Sequence, residues 1–491
     1  MTLPEGATLQ SAWISEALAT VLQRQSKEGL ARQLARWLRQ WISEGKLTAD
    51  SRLPASRDLA RSLQLGRNTV LDAYEQLLAE GYLETRHGAG TFVSSLFQAP
   101  AVAPRPASHH PGLSARGQSL AALTLREDDY QGAFVPCIPE MRAFPHRQWQ
   151  QLLARHQRLT PLQDLNYQAG GGLLALRRAL ADYLQMSRAV HCSPEQILIT
   201  HGTQHSLSLC ALLLASPGEV VWLEEPGYQG ARAAFEMAGL SSVAAPVDAH
   251  GLNPQQIDDP RAPRLIYTTP SYQYPCGVTM PLARRLSLLA HAQLHGAWVI
   301  EDDYDSEFRY SSAPLPALQG LASDQRVIYL GTLSKVMYPG LRTGYLVVPP
   351  GLVDAFRAAN TRLCPEGHYP LQGALAEFID SGLFARHIRR MRELYQERQL
   401  VLRRAVAETV ASEWQWSSGH AGMHLLATLP AGLDEAALCR QAAAQGIWLA
   451  GLGRHYRGTP PAPGLVIGYA GVAEQAIRRG VSVIDRLARG S

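Results

Sequence analysis

The chain has 491 residues, 46% hydrophobic and 18% charged, which suits two or three globular domains with large cores. Its formal net charge of +4 is too small to argue for nucleic acid by itself. No apolar run reaches the ~18 residues that span a bilayer, so no membrane partner is expected.

Six cysteines, at 137, 192, 210, 276, 364 and 439, lack metal-type spacing. They read as reduced thiols of a cytosolic protein, with no metal site. Glu5 and Glu16 precede the first basic residue, Arg24, which is not the pattern of a secretory leader.

Residues 13–95 read as a first domain. Leu30, Leu34, Trp37, Leu38 and Trp41 have helical spacing, with Arg32, Arg36 and Arg39 opposite. Ser56 is placed to N-cap a helix over 57–63. A tight turn at Leu65-Gly66 leads to a second helix over 67–81, with Val70, Tyr74, Leu77 and Leu78 on its inner face. Two short helices joined this way form a helix-turn-helix. Tyr82–Arg86, His87-Gly88-Ala89-Gly90 and Thr91–Val93 then read as strand, turn and strand, a wing. Residues 1–95 hold eleven basic and ten acidic side chains, so the domain as a whole is not a basic patch. Arg52, Arg57, Arg61 and Arg67 nevertheless cluster at the turn, where a recognition helix meets the major groove.

Four prolines and no hydrophobic period mark 98–118 as an extended tether, within a linker of 96–119. His109-His110 has no third ligand nearby and reads as solvated linker.

Residues 120–491 alternate strand-like and helical stretches, an α/β pattern with a mostly parallel sheet. Strands are expected at 196–200, 219–223, 265–268, 297–300, 327–330 and 344–348. Ligands of such sheets sit at the carboxyl ends of strands. Those ends carry His201-Gly202-Thr203 opening a helix, an anion site. They also carry Tyr228, which can lie flat on an aromatic ring, and a turn through Tyr274-Pro275-Cys276-Gly277. Next comes Glu301-Asp302-Asp303-Tyr304-Asp305, whose crowded acids call for a cationic partner. Last is Thr332-Leu333-Ser334-Lys335, followed by Arg342. A lysine held there can be a Schiff-base nucleophile, and Thr332, Ser334 and Arg342 can hold a phosphate. Pyridoxal 5'-phosphate (PLP) needs both.

Two resemblances sharpen this. Leu53-Pro-Ala-Ser-Arg57-Asp-Leu-Ala, Arg67-Asn-Thr-Val, Ala73-Tyr-Glu-Gln-Leu77, Glu80-Gly-Tyr-Leu83 and Gly88-Ala-Gly-Thr-Phe-Val93 resemble the GntR-family winged helix-turn-helix. That resemblance implies DNA contacts from Arg57, Arg67, Asn68 and Thr69, with His87 and Gly88 at the wing tip. Gly66 departs from the family's usual Ser or Thr. The larger domain resembles the fold-type I, aspartate aminotransferase-like PLP proteins. Carried over, Lys335 is the Schiff-base lysine, Asp302 pairs with the pyridinium nitrogen, Tyr304 bonds the 3-oxygen and Tyr228 stacks on the ring. Gly202, Thr203, Thr332, Ser334 and Arg342 line the phosphate. The combination is similar to MocR/GabR-type regulators. Two departures concern the ligand: Tyr274 stands where aminotransferases have asparagine, and Val466 where they have a carboxylate-gripping arginine. Arg454 and Arg457 are the candidate substitutes.

The resemblance implies a PLP-responsive transcriptional regulator on double-stranded operator DNA. It would be a cytoplasmic, nucleoid-associated homodimer answering to PLP or an amine or amino acid effector. The alternatives are an active aminotransferase with an accessory DNA-binding head, and an amine-binding repressor with a vestigial lysine.

Overall fold

Helical spacing in the first domain becomes four helices, α1 (Ala7–Val21), α2 (Leu30–Ser43), α3 (Ser56–Leu63) and α4 (Arg67–Ala79). A hairpin of β1 (Leu83–Arg86) and β2 (Gly90–Val93) follows. The computed structural model describes residues 7–97, 112–122, 132–310, 315–365, 367–410 and 413–490. They fall into two units that divide between Gly112 and Leu113. The tether at 98–111, with His109 and His110, lies outside the described residues; a helix, Ala115–Ala122, begins within the stretch read as linker.

In the head, Leu34, Leu38 and Trp41 of α2 meet Leu59 and Leu63 of α3 and Val70, Tyr74 and Leu77 of α4 in one core. Leu78, expected inside, is only half-buried. Ser56 is not the cap: Ala55 holds that position without a side-chain bond, and Ser56 is already helical. The helix starts early because the Ala55 carbonyl accepts from the amides of Asp58 and Leu59, at 2.9 and 3.0 Å. Gln64, left-handed at φ 53°, ends α3 and makes the turn. The hairpin pairs Leu83 with Val93 and Arg86 with Gly90. It is tied down by the amides of Asp50 and Leu53, which donate to the carbonyls of Val93 and Thr91.

The body is built on eight strands: β3 (Ile197–Thr200), β4 (Val220–Glu225), β5 (Ser241–Asp248), β6 (Gly251–Leu252), β7 (Leu265–Thr268), β8 (Trp298–Asp303), β9 (Val327–Thr332) and β10 (Gly344–Val347). Their spatial order is β3-β10-β9-β8-β7-β4-β5-β6. The sheet is mostly parallel, but β10 runs antiparallel to both β3 and β9. The edge pair β5–β6 is absent from the sequence-based set; Ser241–Asp248 is too mixed in polarity to read as a buried strand. Alternate residues enter opposite cores: Ile300 and Ile328 on one face, Val299 and Tyr329 on the other.

A second, antiparallel sheet follows, from β11 (Gln415–Trp416), β12 (His424–Thr428), β13 (Ala450–Gly451) and β14 (Gly464–Gly468), in the order β11-β12-β14-β13. Tyr395 and Leu402 of the long helix Leu383–Thr409, and Ile477 and Val481 of Glu474–Arg489, pack on Leu425 and Leu465. Among the described residues, no helix is long and apolar enough to cross a membrane.

Leu77 is fully buried in the head core. Leu77→Ala should destabilise the head by ~2–5 kcal/mol through lost burial and a residual cavity. Hydrogen exchange of the full chain should show faster exchange in α2 and α4, with the body sheet unchanged.

Candidate functional site

Parallel pairing of β4, β7, β8 and β9 puts their carboxyl ends on one edge of the sheet. Because β10 runs the other way, its first residue, Gly344, lies opposite Thr200 of β3 and Thr332 of β9. Arg342, two residues earlier, therefore reaches the same edge. A side chain at 344 would crowd this crossing, since its Cβ would lie 3.0 Å from both Gly202 Cα and Thr200 Oγ1. Gly202, at φ 95°, precedes the helix Thr203–Leu214. A Cβ there would stand 3.4 Å from the Arg342 guanidinium, whose Nη2 donates to the His201 carbonyl at 3.4 Å.

A cavity of about 400 Å³ opens at this edge. Thr203, Tyr228, Asp302, Tyr304, Thr332, Ser334, Lys335 and Arg342 all line it, and Gly202 lies directly beneath Arg342. Lys335 is half-buried. Tyr228 OH accepts from Gln204 Nε2 at 3.1 Å, and Gly230 leaves the room that ring occupies: a Cβ at 230 would overlap it at 2.4 Å.

Four buried polar atoms of the lining lack a partner among the described residues: Asp302 Oδ1, Tyr304 OH, Ser334 Oγ and His455 Nε2. The other Asp302 oxygen accepts from Tyr267 OH at 2.8 Å. Burial pushes the Asp302 carboxyl up to about 7, with Asp303 and Glu224 adding repulsion. An unpartnered carboxylate oxygen, phenol and hydroxyl beside a helix N-terminus and an arginine fit a PLP ring nitrogen, 3-oxygen and phosphate. On that observation the residues suit the expected cofactor.

The strand period separates the acid run. Glu301 accepts from the amides of Leu318 and Gln319, at 2.8 and 3.0 Å. Asp303 takes Arg188 Nε at 2.7 Å and Tyr329 OH at 2.6 Å. Asp302 alone of the three lines the cavity. Tyr267, which sequence reasoning missed, is the residue that orients it. Its only signal was a hydroxyl inside an otherwise apolar strand.

Further wall residues missed in the sequence are Cys137, Gln204, Gly230, Trp448 and Ala450. Tyr274 packs edge-on against Tyr228, Tyr304 and His455. Burial pushes the Cys137 thiol up to about 12 and His455 down to about 3, so both are neutral near pH 7. Val466 is fully buried in β14 between Leu426 and Ala450. Arg457 lies exposed, and Nη1 donates to the Ser242 carbonyl at 2.5 Å. Arg454 lines the cavity.

His201, His205 and Cys364 bring potential ligand atoms within 4.8 Å of one another. His205 Nδ1, however, accepts the His201 backbone N–H at 3.2 Å. That bond puts the ring proton on Nε2 and removes the lone pair a metal would need.

In the head, Arg57 lies in the first turn of α3, and Arg67, Asn68 and Thr69 open α4. Arg57, Arg67 and Asn68 are exposed and Thr69 is half-buried. His87 and Gly88 are exposed at the hairpin tip, with Gly88 at φ 69°. Gly66 caps α4 at φ −65°, a conformation serine could also adopt.

Residues 30–93 match the family described as bacterial regulatory proteins, gntR family, and residues 141–484 match aminotransferase class I and II. The chain is 42% identical to the probable rhizopine catabolism regulatory protein MocR of Rhizobium meliloti, over 94% of each chain. It is 31% identical to the HTH-type pyridoxine biosynthesis transcriptional regulator PdxR of Corynebacterium glutamicum, over 91% of this chain and 93% of that protein. Among solved structures, Pyrococcus horikoshii kynurenine aminotransferase, crystallised with PMP, superposes with TM-score 0.68 at 26% identity. It covers 77% of this chain and 95% of its own.

Raised above its ordinary value of 3.8, the Asp302 carboxyl opposes folding once ionised. Its contribution is present at low pH and lost as pH rises from about 4 through about 7. In protein freed of cofactor, Asp302→Asn should raise the melting temperature at pH 8 and leave it nearly unchanged at pH 4. Thermal melts across that range check this.

Proposed function

We propose a function from the premise that this chain belongs to the MocR-type regulators, a GntR winged helix-turn-helix joined to a class I/II aminotransferase domain. It is a DNA-binding transcriptional regulator, and its cofactor is PLP. The observation that carries this reading is the cavity holding both Lys335 and the unpartnered Asp302 oxygen, in a chain whose head exposes Arg57, Arg67 and Asn68.

Bound PLP supplies an aldehyde that a lysine amine can engage and a ring that withdraws electrons. The chain's own residues do the rest. Asp302, held by Tyr267, accepts the ring N–H and keeps that proton in place. Tyr304 donates to the 3-oxygen, and Tyr228 covers the ring face. The amides at Gly202 and Thr203, the hydroxyls of Thr332 and Ser334, and Arg342 hold the phosphate. Lys335 presents its amine to the aldehyde carbon.

Regulation follows if PLP, or PLP together with an amine, favours one conformation of the body over another. Aminotransferase-like sites form at dimer interfaces, so the working unit is a homodimer. Its two heads read half-sites spaced by whole turns of the duplex, in the cytoplasm with the nucleoid.

The retained Lys335 and Asp302 also keep open a second reading, a working aminotransferase. Multiple turnover with an amino donor and a keto acid would establish it.

Borohydride treatment of the purified protein should fix a phosphopyridoxyl mass on the Lys335 peptide, and Lys335→Ala should abolish it. An untagged, colourless wild type would overturn the PLP reading. On a site found by footprinting upstream of its own or neighbouring genes, Arg67→Ala should weaken binding by ~1–3 kcal/mol. An unchanged footprint would overturn the assigned role of that helix.

A further inference from the structure

The cavity's buried polar atoms can be accounted for one at a time. On the reading above, the cofactor takes Asp302 Oδ1, Tyr304 OH and Ser334 Oγ. Thr269 Oγ1 donates to Glu224 at 2.6 Å. The Cys137 thiol lies 3.7 Å from His424 Nδ1, and His424 Nε2 donates to the Pro275 carbonyl at 3.2 Å. Among the described residues, one unpartnered buried atom of the lining is left over, His455 Nε2.

The neighbours of His455 decide what that atom can do. The residue ends the short helix Leu452–His455 beside β13 and is only 8% exposed. Its carbonyl accepts from the Gly227 amide at 3.1 Å. Its Nδ1 lies 3.3 Å from the Gly227 carbonyl, which can only accept, so the ring proton is on Nδ1. Burial, and after it the charge of Arg454, keeps the ring from taking a second proton. Nε2 is therefore a bare acceptor. The ring is also held in place, edge-on to Tyr274 at 5.1 Å between centroids.

A buried acceptor with no donor is costly, and the cofactor placement does not relieve it. The second ligand of the cavity is left to supply the donor. A further ammonium is disfavoured beside the Arg454 charge. A hydroxyl is a neutral, compact donor.

We infer that His455 Nε2 accepts a hydrogen bond from the effector, so the effector is a primary amine that also carries a hydroxyl. This rests on the cofactor reading above, because the amine must meet the PLP aldehyde in the same cavity.

The test uses the full-length chain freed of cofactor and two pairs of stable secondary amines. One pair is N-(5'-phosphopyridoxyl)-2-aminoethanol and its methyl counterpart, N-(5'-phosphopyridoxyl)propylamine. The other is the 3-aminopropanol adduct and its counterpart, the butylamine adduct. Within a pair only hydroxyl and methyl differ. By calorimetry the hydroxyl probe of at least one pair should bind ~5–30-fold tighter, the worth of one hydrogen bond to an otherwise orphaned acceptor. His455→Asn keeps an amide N–H where Nδ1 stands and removes the Nε2 acceptor, so that preference should fall to near one. His455→Gln places an amide oxygen near the Nε2 position and should keep an intermediate preference. Equal wild-type affinities within both pairs, as when a water already satisfies Nε2, would overturn the His455 assignment and leave the cofactor reading standing. So would a preference unmoved in His455→Asn. Failure of all four probes to bind would overturn both.

Discussion

A carboxylate with one satisfied and one unsatisfied oxygen, sealed at the end of a buried strand, is the constraint around which the body is arranged. Asp302 could not hold that position as an ordinary surface acid, because burial and its acidic neighbours both oppose its charge. Tyr267 satisfies one oxygen and fixes which way the other points. The strand alternation sends Glu301 and Asp303 to backbone amides and to Arg188. Three acids in a row therefore do three separate jobs, and only one is left for a ligand. An ordinary cluster of repelling carboxylates would have bound a metal or stayed in water.

The reversed strand β10 matters nearly as much. Had it run with its neighbours, Arg342 would sit at the far edge of the sheet, about 10 Å or more away, since each strand residue advances ~3.3 Å. Antiparallel pairing folds it back over Gly202, and glycines at 202 and 344 permit the approach. The anion cradle thus joins a helix N-terminus after β3 to a cation before β10, elements separated by more than a hundred residues of sequence. Small residues at the crossing point are a packing requirement first and a binding feature second.

These particulars explain what could be read from the sequence. Lys335, Asp302, Tyr304 and Tyr228 follow apolar runs immediately, so a strand-end rule is enough to place them together on one edge. The direction of β10 was not legible, because Gly344–Val347 is equally apolar read either way. Tyr267 was hidden for the opposite reason: it lies inside a run and looked like core. Ser56 misled because serine favours a cap, while the neighbouring carbonyl of Ala55 already closed the first turn. In the head, the helical period of Val70, Tyr74 and Leu77 was visible, whereas the ties from Asp50 and Leu53 to β2 depend on backbone groups that carry no sequence signal. Arg454 and Arg457 were indistinguishable by type; in the fold Arg454 lines the cavity and is half-buried, whereas Arg457 is exposed and bonded to Ser242.

Unsatisfied groups also set the relative weight of cofactor and effector. Four buried polar atoms in the site lack a partner among the described residues, and each such group left unsatisfied costs about 1–3 kcal/mol. On the proposed placement, cofactor binding relieves those of Asp302, Tyr304 and Ser334 together and adds the phosphate contacts. A ligand can bias two conformations only by as much as it distinguishes them. A tenfold change in operator affinity needs about 1.4 kcal/mol of coupling. One charge-assisted pair is large enough for that if it forms in only one conformation of the body, and contributes nothing if it forms equally in both.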